Sequence, residues 1–145
     1  MNRIITRRRT RPDAAAAVAL AASAVTVVAT FLPWAGVTVL VTFTVRGVDT
    51  DQGLITCVLA AVGALTALVA VIACDGRAML ATAAAGFTAL GTELVFAFRL
   101  DEAFTEGAVG TDGPAGLAVG WFLAILGSLT MIGAGLYETF RRRRD

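Results

Sequence analysis

Four apolar stretches, each long enough to cross a lipid bilayer, take up most of the 145 residues of this chain. The polar residues are left to the two ends and the turns. A helical domain in water needs a polar face on each surface helix. Here whole stretches are apolar all round, the pattern expected when lipid is the solvent. The composition agrees: 57% of residues are hydrophobic and the mean hydropathy is +0.78, above the usual range for a soluble domain. The expected fold is an all-α membrane protein built as one four-transmembrane-helix bundle.

The first span runs from Ala14 to Leu32 and stops at Pro33-Trp34. That is roughly 28 Å of helix, enough for a hydrocarbon core. Pro33 removes an amide donor, and Trp34 suits the interfacial belt. A basic head followed by Ala22-Ser23-Ala24 also has the form of a cleavable signal sequence. The apolar run continues unbroken past that point, however, so an uncleaved span is expected. The second span runs over residues 53–74 and the third over 78–98, with Asp75-Gly76-Arg77 as a tight turn between them. The fourth runs over 115–137, with Pro114 suited to its start and Tyr137 to the far interface. The four-helix domain thus covers 14–137, with loops at 33–52 and 99–114 and arginine-rich tails at 1–13 and 138–145.

Charge sets the expected topology. The N-terminal tail, the 75–77 turn and the C-terminal tail together hold ten arginines, against Arg46 and Arg99 in the two loops. The positive-inside rule places both termini in the cytoplasm of a cell membrane. The two loops then lie outside, with six acids: Asp49, Asp51, Asp101, Glu102, Glu106 and Asp112. The arginine clusters are read as this topology signal, with the bilayer as their partner and no nucleic acid.

A small extracytoplasmic β element is also expected. From Val37 to Val45 the chain alternates, with Val37, Val39, Val41, Phe43 and Val45 on one face and threonines on the other. This is a strand pattern rich in β-branched residues. A lone strand is unstable, so a partner is sought in residues 104–109 or in a second copy of the chain. A weak internal repeat is visible too: Leu59, Ala60, Gly63, Leu65 and Thr66 match Leu123, Ala124, Gly127, Leu129 and Thr130.

Little in the sequence carries chemistry. All twelve basic residues are arginine and there is no histidine, which removes the commonest general base and metal ligand. No nucleophile stands beside a base, so an enzyme, a cofactor and a metal site are not expected. Cys57 and Cys74 would lie roughly 25 Å apart on one helix, too far to bridge. Two features stand out. Gly116, Gly120, Ala124 and Ser128 recur every fourth residue on the fourth span, a flat stripe that lets another helix approach closely. Glu93 is the one acid well inside a span, about 7 Å from its outer end. A carboxylate in lipid is costly and is by default a functional candidate. It reads either as a proton or cation site or as a structural anchor paired with Arg46 or Arg99.

Phe31-Leu32-Pro33-Trp34, Asp51-Gln52-Gly53-Leu54, and Gly116-Leu117 followed by Leu126-Gly127 and Gly133 resemble the small, uncharacterised four-span membrane proteins of actinobacteria and haloarchaea. The resemblance covers most of the chain and implies a fold, not an activity. The four-span plan with an outer sheet is also similar to claudin-like proteins, but the first loop lacks their paired cysteines. Small multidrug exporters carry their acid in the first helix, which here has none. The expected role is a non-enzymatic scaffold, accessory subunit or envelope component, acting through helix and outer-loop contacts with other copies or another membrane protein. The alternative is a small transporter or channel that uses Glu93.

Overall fold

A computed structural model describes residues 14–38, 42–73, 76–100 and 115–144. Among the described residues four α-helices, α1 (Ala14–Thr30), α2 (Asp51–Ala73), α3 (Gly76–Phe98) and α4 (Val119–Arg144), pack in sequence around a square. Each helix lies against its two neighbours, with α4 closing back onto α1. Three helices are long and apolar enough to cross a membrane; α1, with 17 residues, is shorter.

The start of α1, the end of α2, the start of α3 and the end of α4 share one end of the bundle, the turn end. The other end carries a three-stranded antiparallel sheet. Its strands are β1 (Pro33–Thr38), β2 (Thr42–Arg46) and β3 (Ala115–Leu117), in the order β2-β1-β3.

The sequence expectation of one strand over 37–45 is corrected here, because those residues form a hairpin. Val37 pairs with Phe43 and Thr38 with Thr42 in antiparallel strands; residues 39–41 lie outside the described residues. The alternation misled for a geometric reason. Cross-strand partners sit on the same face, and an odd connection of three residues keeps odd positions opposite odd ones. The period of two therefore reads straight through the turn. Val39-Leu40-Val41 also lacks the Gly, Asn or Asp that marks most hairpins.

A second partner of β1 lies among the described residues. Residues 104–109 lie outside the described residues, and β3 comes from 115–117, which the hydropathy assigned to the fourth span. Ala35, Gly36 and Val37 pair with Leu117, Gly116 and Ala115. The fourth helix accordingly starts at Val119 and continues to Arg144, beyond the expected end at Tyr137.

Pro33 ends α1 as expected, and the chain closes the helix end without a glycine. The amides of Phe31 and Leu32 donate to Val28 O and Ala29 O. The Thr30 hydroxyl donates to Val27 O at 2.7 Å and the Trp34 indole N–H to Ala29 O at 3.0 Å. Carbonyls that a helix terminus leaves orphaned are thus satisfied within the chain. At the start of α2, Thr50 is the cap: its Oγ1 accepts from the Gly53 amide at 3.1 Å and donates to Gly47 O at 2.7 Å. Here Gly47 and Gly53 touch so closely that a side chain on Gly53 would run into the Gly47 carbonyl.

Polarity runs opposite to that of a soluble bundle. Buried positions are mostly Ala, Gly, Ser and Thr, with Trp34, Phe96, Met79 and Met131 as the large apolar exceptions. The outer surface carries Val, Leu, Ile and Phe, with Ile72 74%, Phe87 70% and Leu65 63% exposed. Small interior residues let the helix backbones approach closely. A Cβ on Gly120 would lie 2.6 Å from Pro33 O, and one on Gly135 2.6 Å from Met79 O.

Candidate functional site

Inside the bundle the buried side chains form layers along the axis. Nearest the sheet is an apolar layer of Ala29, Trp34, Ala35, Phe96 and Ala124. Its two rings meet edge to face, with centroids 5.2 Å apart. Beyond it lie Glu93 and Ser128. A second apolar layer, Ala22, Ala85 and Met131, follows. The layer at the turn end contains Ala16, Ala19, Ala67, Ala70 and Met79.

Glu93 is fully buried on α3. Its Oε1 accepts a hydrogen bond from the Ser128 hydroxyl at 2.9 Å, and its Oε2 has no hydrogen-bond partner among the described residues. The position is held from two sides. The Trp121 indole N–H donates to the Glu93 backbone carbonyl at 2.9 Å, tying α4 to the same residue. One residue earlier, Thr92 Oγ1 lies 2.7 Å from Thr56 Oγ1 on α2 and donates to Ala89 O. Thr56 is therefore the donor of that pair. Ser128 departs from the local habit. Ser23, Thr26 and Thr130 hand their protons to the carbonyl four residues back, as hydroxyls in apolar helices usually do. Ser128 gives its proton to Glu93 instead.

The expected anchoring of Glu93 by arginine is not what the structure shows. Arg46 is exposed on β2 and Arg99 is exposed just past the end of α3, and neither pairs with the carboxyl. Helix length explains this. Glu93 points inward more than a turn below the last residue of α3, whereas both arginines sit at the rim, where a guanidinium stays hydrated.

The expected small-residue stripe divides in the same way. Gly120, Ala124 and Ser128 lie on α4 and face inward against α1 and α3. Gly116 is exposed on β3, opposite Gly36, with nothing within reach of an added Cβ. The stripe is thus taken up within the chain, and the strand finds its partners there too.

Glu138 is a buried acid that the sequence reading placed in the C-terminal tail. It is fully buried at the turn end, and Arg141 Nε is 3.6 Å from its Oε2. Hydropathy hid it, because the span was ended at Tyr137. Spacing would have revealed it: Ala124, Ser128, Met131, Gly135 and Glu138 follow the i+3/i+4 rhythm of one helix face.

Cys57 is a half-buried free thiol on α2, and Cys74 lies outside the described residues. No group of acids, cysteines or histidines suited to a metal occurs among the described residues. Comparison with known proteins returns no matching family model, no matching curated protein and no matching solved structure.

Proposed function

We propose that the chain is an integral membrane protein with four spans, and that it works without catalysis, through contacts made in the plane of the membrane. The observation that carries the membrane reading is the inverted polarity of the bundle. Two dozen large apolar side chains are exposed among the described residues. At about 1 kcal/mol for each half-exposed side chain, moving this surface from water into lipid gains on the order of 20 kcal/mol. The arginine distribution supports both termini on the cytoplasmic side of the cell membrane and the sheet outside.

α4's inward-facing stripe is not left for assembly, and the central strand β1 is paired on both sides. What supports contacts with another span, in a second copy or a partner protein, is the outer apolar surface. It includes a groove of about 240 Å³ between α1 and α4, lined by Ala24, Val25, Val28, Ala29 and Leu123. The test is the mass of the native complex in mild detergent, with identification of whatever accompanies it. A reproducible complex is expected. A bare monomer at all protein concentrations would remove the assembly reading and leave the membrane reading standing.

The second reading, a small transporter, is favoured by one observation: the Glu93 oxygen without a partner in the bundle interior.

A further inference from the structure

Glu93 is enclosed along the bundle axis. Toward the sheet, Phe96 lies one turn further along α3 and Ala124 one turn further along α4, and Trp34 packs its ring on Phe96. Toward the turn, the Met131 side chain crosses the interior. Its methyl group fills the space that a side chain on Gly63 would need, and its Cβ lies 2.9 Å from where a Cβ on Gly86 would stand. Glycines on α2 and α3 thus make room for one flexible thioether between the carboxyl and the opposite end. Met is unbranched and changes rotamer easily, so this barrier can move without a backbone shift.

The contents of the enclosed layer point to its occupant. One carboxyl group and one hydroxyl supply too few oxygens to replace the shell of a metal cation. A proton needs a single oxygen, and Oε2 is the one without a partner. We propose that Glu93 and Ser128 form an occluded proton site, closed on the sheet side by Trp34 and Phe96 and on the turn side by Met131. This inference rests on the membrane reading above and deepens the transporter alternative. In the step itself, a hydronium ion reaching the layer gives its proton to Oε2, forming one O–H bond and leaving a neutral water. Ser128 keeps donating to Oε1, and release reverses the step. No other charge in the described structure competes for the role. α1 has no ionisable residue. α2 has Asp51, exposed at its first position, and the thiol of Cys57. On α4 the ionisable groups begin at Tyr137, about 13 Å beyond Ser128. Arg46, Asp49 and Arg99 are exposed at the sheet end, and Arg77 is exposed in the first turn of α3 at the opposite end.

Infrared difference spectroscopy of the full chain in lipid vesicles, stepped in pH and then transferred to heavy water, tests this directly. Expected is a protonated-carboxyl band that E93Q removes and E138Q keeps. S128A should shift its frequency, because the hydrogen bond to Oε1 is lost. The band should exchange with deuterium slowly in the wild type and several-fold faster in M131A and F96A. A spectrum that E93Q leaves unchanged at every pH overturns the proposal. So does a Glu93 band that exchanges as fast as surface carboxyls. If E93Q does not fold, the response of the wild-type band to S128A decides alone. Failure of the membrane reading shows separately, as protein that does not float with the vesicles.

Discussion

Glycines in this bundle are not equivalent, and what faces each one decides what a methyl group there would cost. On Gly120 a methyl would press on the carbonyls of Pro33 and Ala29, which belong to a closed helix end and cannot move aside. G120A should therefore lose about 1–3 kcal/mol, the usual cost of overpacking. On Gly63 the obstacle is the tip of Met131, which can swing away, so G63A should cost less. On Gly91 nothing lies within reach, and G91A should be neutral or gain a few tenths of a kcal/mol from helix propensity. Unfolding by a graded denaturing detergent, compared across the three variants, gives the ranking. A G91A variant as damaged as G120A would show that the packing described here is wrong. The same scale shows what single residues revealed in advance. Glu93 was legible because an acid inside an apolar run has few reasons to be there. Its partner was not. Arg99 is near it in the sequence, Arg46 is expected at the same end of the bundle, and both carry the right charge, but the inward face belongs to Ser128, which looked like one more small residue in a stripe.

Among the elements, the helices were legible and their ends were not. Long apolar runs establish that a helix exists, whereas its boundary depends on local hydrogen bonding that hydropathy ignores. Ala115–Leu117 is apolar enough to extend α4, yet it is drawn into the sheet by pairing with Ala35–Val37. The end of α1 is set by Pro33 and sealed by the Trp34 indole. Changing Trp34 to Phe should preserve much of the ring contact with Phe96 while leaving Ala29 O without its indole donor. Ala29 O keeps the Leu32 amide as a donor, so the expected loss is about 0.5–1.5 kcal/mol, the net worth of one hydrogen bond. At the start of α2 the cap is a hydroxyl, so T50A should cost about 1 kcal/mol and T50S should restore most of it. Thermal melts in one detergent measure both effects. If T50S were as unstable as T50A, the hydroxyl would not be the capping group. The weak internal repeat also gains meaning at this scale. The matching positions Ala60 and Ala124 are both buried, and the matching glycines both face α1, Gly63 toward Ser23 and Gly127 toward Thr26. Helices α2 and α4 thus present similar small-residue surfaces to the helix they flank.

For the whole molecule, solvent is the variable that makes sense of the rest. The same inward arrangement of Ala, Gly, Ser and Thr would be a poor core in water, because it buries little apolar area on folding. In lipid, close approach of backbones and shared hydroxyl contacts hold helices together instead. The two readings diverge most sharply at a large residue far out on the surface. Phe87 sits midway along α3 and is 70% exposed. If the bundle stood in water, F87R would relieve an exposed apolar side chain, and the variant would be at least as soluble and stable as the wild type. If the bundle spans a membrane, an arginine at that depth costs about 2.5–3.5 kcal/mol on the insertion scale. An arginine in place of Phe98, at the helix end, can reach the headgroups and should cost far less. We expect F87R to lower the amount of protein that resists alkaline extraction from membranes, and F98R to leave it close to wild type. The contrast between the two positions carries the test, since both remove an exposed phenylalanine and only depth differs. Equal recovery of both variants in the membrane fraction would argue that Phe87 does not lie in the hydrocarbon layer, and the placement of α3 would have to be redrawn.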